Sequence, residues 1–116
     1  MIHPRAEQNR REKLGAQGGN GVARFRDLFT SEDLGSRAEM FSVVTLDPGD
    51  SVGIHAHTVN GEVYCVLRGS VWVTEDGAER ELLPGDAEFC ADGHTHGMEN
   101  RSDSPAEILA VILPNR

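Results

Sequence analysis

His55 and His57 stand two residues apart, Glu62 follows five residues later, and His94 and His96 repeat the two-residue spacing about forty positions on. Imidazole and carboxylate are common ligands of first-row transition metals, and two histidines with one carboxylate leave coordination positions open. Alternate side chains of a strand share a face, so His55 and His57 would project into one space. A turn over Val59–Gly61 lets an antiparallel return strand bring Glu62 against both imidazoles. A fourth arm has to come from a distant strand, and His94 and His96 are the two choices.

Strands must do the positioning. Candidate strands arrive at short intervals: 22–29, 39–46, 51–57, 61–68, 70–75, 79–83, 86–90, 94–99 and 106–113. Turn sequences rich in Pro, Gly, Asn and Asp separate them, such as DPGD at 47–50, PGD at 84–86 and ADG at 91–93. Many short strands with almost no helix predict an all-β sandwich, jelly roll or barrel. If Glu62 faces inward, so do Tyr64 and Val66, and Tyr64 becomes a candidate to hydrogen-bond a bound ligand. Val63, Cys65 and Leu67 lie on the opposite face and are also apolar. A strand apolar on both faces is covered on both, which predicts a second copy of the chain, a homodimer, on the outer side.

The flanking segments read differently. Residues 1–14 are polar and mostly charged, and the i,i+4 pair Glu7–Arg11 predicts a short helical turn. The glycine-rich run GAQGGNG at 15–21 reads as a flexible approach to the first strand rather than a phosphate cradle, since an apolar strand-like run follows it instead of a helix. Residues 1–21 thus form a polar lead-in and residues 22–116 the β domain. Thr30 with Asp33 three residues on, closed by Gly35, predicts one capped helical turn. Arg24 and Arg26 share a strand face, where solvent-facing arginines are the ordinary case. Trp72 is expected in the core.

Two segments carry a resemblance. Residues 49–69 read G-x5-H-x-H-x4-E-x6-G, through Gly49, His55, His57, Glu62 and Gly69; residues 85–100 read G-x5-A-x-G-x2-H-x3-N, through Gly85, Ala91, Gly93, His96 and Asn100. The first is similar to the first motif of the cupin superfamily at every defined position. The second resembles the second motif, with Ala91 where that motif has proline. Together they span about a third of the chain. The resemblance to small single-domain bacterial cupins implies a double-stranded β-helix of jelly-roll type and a metal held inside the barrel by His55, His57, Glu62 and His96. His94 falls outside the motif. Strand parity with His96 would aim it at the same cavity, as an acid/base group or as a hydrated histidine at the mouth. Ala91 removes a fixed φ from the loop before His96.

Three neutral imidazoles and one carboxylate leave a divalent ion with a net charge of about +1 and open positions that suit a small carboxylate, 2-oxo acid or enediolate. The donor set accepts Mn, Fe, Ni, Co, Cu or Zn. As an enzyme such a protein would be a metal-dependent decarboxylase, dioxygenase or isomerase. The other reading is a non-enzymatic metal or metabolite sensor, or an accessory module.

Composition narrows the partners. The 116 residues hold 11 basic and 19 acidic side chains, a net charge of −8, which disfavours a nucleic-acid partner driven by counterion release. No stretch approaches the roughly 20 apolar residues of a membrane helix. The first residues lack the apolar stretch of a secretory signal. Cys65 and Cys90, each in an apolar run, then read as buried free thiols of a cytoplasmic protein.

Overall fold

A computed structural model describes residues 1–115. It has ten strands: β1 (Asn9–Leu14), β2 (Val22–Phe29), β3 (Met40–Leu46), β4 (Ser51–Ala56), β5 (Asn60–Arg68), β6 (Val71–Glu75), β7 (Ala78–Leu82), β8 (Ala87–Cys90), β9 (Thr95–Glu99) and β10 (Ala106–Pro114). They form a six-stranded sheet in the order β1-β2-β3-β10-β5-β8 and a four-stranded sheet in the order β4-β9-β6-β7, every pairing antiparallel. Two 3-10 turns, Arg5–Glu7 and Ala16–Gly18, are the only regular helical elements among the described residues. No helix there is long and apolar enough to cross a membrane.

The alternation of apolar residues becomes the core. Val44 and Leu46 of β3, Tyr64 and Val66 of β5, Val71 and Val73 of β6, Met98 of β9 and Ile108 and Ala110 of β10 all turn inward and are buried. Burying one Val- or Leu-sized side chain contributes roughly 1.5–3 kcal/mol, so this shared interior is what holds the two sheets face to face. Long-range hydrogen bonds then fix the loops. Asn100 donates to the carbonyls of Leu46 and Ser104 and accepts from Ser102, which fastens the loop before β10. Gly69 turns β5 into β6 at φ +75°, and a side chain there would meet the Pro105 carbonyl and Ala106.

Four expectations change. The helical turn expected within residues 1–14 is confined to the 3-10 turn Arg5–Glu7, and residues 9–14 form a strand paired with β2 from Asn9↔Asp27 to Leu14↔Val22. Tertiary pairing overrides the local Glu7–Arg11 spacing. The glycine run is an ordered turn that lies on β4: Gly15 donates to Gly21, Ser51 donates to the Asn20 carbonyl, and Ala16 is buried. Trp72 faces outward from β6, half-buried beneath Arg101, whose guanidinium sits 4.9 Å from the ring centroid. Its neighbours Val71 and Val73 take the inward face. Of the two free cysteines, Cys90 is buried while Cys65 is only half-buried on the outer face. The turn after Thr30 keeps its cap, with Thr30 and Asp33 exchanging reciprocal side-chain-to-backbone bonds at 3.0 and 3.1 Å.

The contact between the glycine turn and β4 depends on Gly19 and Gly53. A Cβ on Gly53 would run into the Gln17 carbonyl, and one on Gly19 into Ser51. Gly53→Ala is therefore expected to destabilise the chain by about 1–3 kcal/mol, as overpacking against backbone does. A thermal midpoint that stays at the wild-type value would show that this contact is dispensable.

Candidate metal centre

The four motif residues come from three strands and a strand end. His55 lies on β4 and is the direct cross-strand partner of His96 on β9, after a register shift between Val52 and His55. His57 follows β4, and its backbone is tied to the β8–β9 loop by His57 N–H to His94 O at 3.1 Å and Gly93 N–H to His57 O at 2.8 Å. Glu62 points inward from β5. The loop that carries Ala91 in place of proline is fastened by these bonds and by Asp92, which accepts from the Val59 N–H and the Asn115 amide.

All four side chains converge. The Nε2 atoms of His55, His57 and His96 lie 3.4, 3.1 and 3.0 Å from Glu62 Oε1, and the Nε2 atoms of His57 and His96 are 3.2 Å apart. The rings stand edge-on, with centroids 4.8–5.0 Å apart and interplanar angles of 65–75°. His57, Glu62 and His96 are buried and His55 nearly so.

The opposite ring nitrogens settle the protonation. His55 Nδ1 is 2.7 Å from the Gly53 carbonyl, which only accepts. His96 Nδ1 is 2.8 Å from a Glu88 carboxylate oxygen. His57 Nδ1 is 2.8 Å from Asn60 Oδ1, and Asn60 is itself oriented because its NH2 donates to Glu39 Oε2 at 2.9 Å. Each Nδ1 thus carries a hydrogen and donates it outward, which turns the Nε2 of each ring toward the centre, where it offers a lone pair whenever it carries no proton of its own. Three lone pairs and a carboxylate aimed at one point repel one another unless a cation lies among them. The donor set fits a divalent metal ion.

The cavity beside this cluster, about 160 Å³, is lined by His55, His57, Glu62 and Tyr64 and by an apolar collar that includes Phe25 and Met40. Tyr64 is buried and stacks on His96, centroids 4.3 Å apart and rings within 8° of parallel. Burial, then the nearby carboxylates of Glu62 and Glu88, hold its phenol well above the usual range, so it stays a neutral donor. Cys90, beside Glu88 and His96, is pushed up to about 12 by burial first and then by these carboxylates, and remains a thiol.

His94 is not brought into the cavity. It precedes β9, is exposed, and holds Asp76 at 2.6 Å, the hydrated position at a barrel end. Arg24 pairs with Asp47 at 2.6 Å and Arg26 bonds Gln8, both on the outer face. Glu99 pairs with Arg101. Sequence reasoning missed Asn60, Glu39 and the role of Glu88 in holding His96. It also missed Arg11 and Lys13, which reach the cavity from β1. Only the strand assignment of residues 9–14, absent from their polar pattern, would have signalled the last two.

Comparison with known proteins follows the same lines. Residues 42–112 match the family model described as Cupin domain. The chain is 33% identical over 97 residues to an oxalate-binding protein of Thermotoga maritima, covering 84% of this chain and 80% of that protein. It is 32% identical over 89 residues to the tetracenomycin polyketide synthase protein TcmJ of Streptomyces glaucescens, of which it spans 60%. A crystal structure described as a predicted oxalate decarboxylase from Thermotoga maritima superposes with a TM-score of 0.94 at 30% identity, over 98% of this chain and 99% of that one. With both motifs in place around one cluster, in the two-sheet fold they call for, this chain belongs to the cupin family.

Proposed function

We propose that this protein holds a divalent transition metal at His55, His57, Glu62 and His96 and uses it to bind a small oxygen-rich anion. The observation that carries this reading is the convergence of four acceptor atoms, each imidazole already turned by an acceptor behind it. When bound, the ion supplies a net positive, Lewis-acidic centre with open positions. The chain's own residues shape what reaches it. Tyr64 offers a neutral hydrogen-bond donor, and the apolar collar excludes water. The names of the Thermotoga maritima relatives, both of which concern oxalate, support a short carboxylate as the ligand, and a 2-oxo acid or an enediolate would present a similar pair of oxygens. Mn, Fe, Ni, Co, Cu and Zn all suit the donor set.

Binding without turnover is favoured by one feature: apart from the proposed ligands, the titratable side chains lining the cavity are Tyr64, Arg11 and Lys13, none of them a carboxylate or an imidazole. Decarboxylase, dioxygenase or isomerase activity is the second reading, tested by assaying the metal-loaded chain on short hydroxy and oxo acids. We also infer a homodimer in the cytoplasm. The outer face of the six-stranded sheet sets Val63 of β5 opposite Val111 of β10 and Phe89 of β8, with Leu113 and Leu67 further along the same face and Phe89 54% and Leu67 50% exposed. Apolar patches of this kind mark interfaces, and a monomeric mass by light scattering at micromolar concentration would refute it.

Elemental analysis of the purified chain is the first test, with about one divalent ion per chain expected. Glu62→Gln keeps the shape and removes the charge, and should lose most of the metal on dialysis. Asn60→Leu releases His57 from its fixed tautomer and should weaken metal binding about 10–100-fold, the usual cost of removing a partner behind a ligand. Wild-type metal content in Glu62→Gln would remove the site assignment.

Proton and metal compete for the same nitrogens. In the metal-free chain, burial disfavours a charged His96, yet hydrogen bonds to Glu62 and Glu88 outweigh it and hold the ring up at about 9. Burial likewise disfavours an ionised Glu62, yet bonds from His55 and His96 hold it down at about 2. The Glu62 contribution to stability is therefore present above its ordinary value of 4.5 and lost as pH falls toward 2. The His96 contribution is present below 6.5 and lost as pH rises to about 9. The thermal midpoint of the metal-free chain should peak between these limits and decline on both sides. Added metal should abolish the alkaline decline, because the ion replaces the proton. A metal-free midpoint that climbs between pH 6.5 and 9 would contradict this account.

A further inference from the structure

The cavity has one cationic wall. Strand β1 pairs with β2 so that Arg11 opposes Phe25 and Lys13 opposes Ala23, and both basic side chains line the cavity that holds His55, His57, Glu62 and Tyr64. The two differ in what they have to spare. Arg11 lies 4.2 Å over the Phe25 ring and grips both carboxylate oxygens of Asp27 at 3.0–3.2 Å, so its charge is matched and its place fixed. Lys13 has no carboxylate partner among the described residues. It is an unmatched cation at the rim of a site whose other open group would be a metal ion.

The wider charge distribution points the same way. Residues 5–26 hold six basic and two acidic side chains, while the rest of the chain holds five basic and seventeen acidic. Of the six, Arg11 and Lys13 line the cavity, so an otherwise acidic protein places two cations at this site, where they draw small anions against the overall repulsion. The cavity is open to solvent on one side, and its volume of about 160 Å³ holds about five waters at ~30 Å³ each, room enough for a two- to four-carbon acid.

We propose that Lys13 selects for a short dianion, binding its second acid group while its first group occupies the metal centre. This rests on the metal-centre reading above and adds to it the ligand's charge and length. Arg11 acts as a positioning residue, since its contacts with Asp27 and Phe25 hold β1 against the cavity.

The test titrates the full, metal-loaded chain by calorimetry with two dianions, oxalate and malonate, and two monoanions, glycolate and acetate. Lys13→Met should weaken both dianions about tenfold or more and the monoanions by less than about threefold, the difference expected from losing a charged hydrogen bond to a carboxylate. Lys13→Arg should restore most of the dianion affinity. Because Lys13 is exposed, metal content and thermal midpoint should match wild type in both variants. Equal weakening of both ligand classes, or of neither, overturns the assignment of Lys13 and leaves the metal centre standing. Binding of none of the four acids by a metal-loaded wild type also overturns it. A wild-type chain that takes up no metal overturns the metal-centre reading, and the assignment of Lys13 falls with it.

Discussion

Three imidazole nitrogens held 3.0–3.4 Å from one carboxylate oxygen are the constraint on which the rest of this structure depends. Left to themselves, three imidazole lone pairs and a carboxylate would separate or take up protons. They stay together because the backbone behind them cannot yield. His55 and His96 oppose each other across the β4–β9 ladder, Glu62 comes from a strand paired on both sides by β10 and β8, and His57 is bonded at both its N–H and its carbonyl to the loop before β9. The fold spends its strongest restraint, paired sheet buried on one face, at the place where the side chains repel. A cation placed among them would relieve that repulsion.

The orientation of each ring is a separate matter from its position, and a different set of residues settles it. A backbone carbonyl holds His55, a carboxylate holds His96, and an amide holds His57. The amide is the interesting case, because an amide could present either end. Glu39 removes the choice by accepting from the Asn60 NH2, so a carboxylate on the surface fixes a tautomer in the interior through one intermediate side chain. Part of the motif does no chemistry at all. Asn100 bonds loop carbonyls, and Gly69 permits a close turn over Ala106. These make the strands end where the ligands need them to end.

Alternation and turn chemistry carried most of the architecture, because a half-buried strand writes its two faces into its sequence. The alternation of Val, Ile and Leu in β3, β5 and β10 placed the core, and the two-residue spacing of His55 and His57, with a turn before Glu62, pointed to three of the converging groups. Failures came where the sequence does not record a face. NRREKL, the β1 segment, is exposed at all six positions, so it has no apolar partner to alternate with. Trp72 is large and apolar, but Val71 and Val73 own the inward parity and leave it outside under Arg101. His94 shares parity with His96 only if the strand has already begun, and it begins at Thr95. Asn60, Glu39 and Glu88 were illegible for another reason. Their roles arise from contacts between elements far apart in sequence, and spacing within one segment cannot predict them.

The β1 strand shows how a generic need and a specific one can be told apart. It is an edge strand, and edge strands are commonly protected from pairing with other chains by charged side chains. That need alone would explain a run of Arg, Glu and Lys, with no regard to which face each occupies. The actual arrangement is not indifferent to face. Arg10 and Glu12 oppose Arg26 and Arg24, whose other partners lie on the outer side, whereas Arg11 and Lys13 fall on the side of Phe25 and the cavity. Exchanging the two parities would protect the edge equally well, but would turn Arg10 and Glu12, one cation and one anion, toward the cavity in place of two cations. The face on which the charge falls, rather than the presence of charge, is what connects this strand to the chemistry of the site.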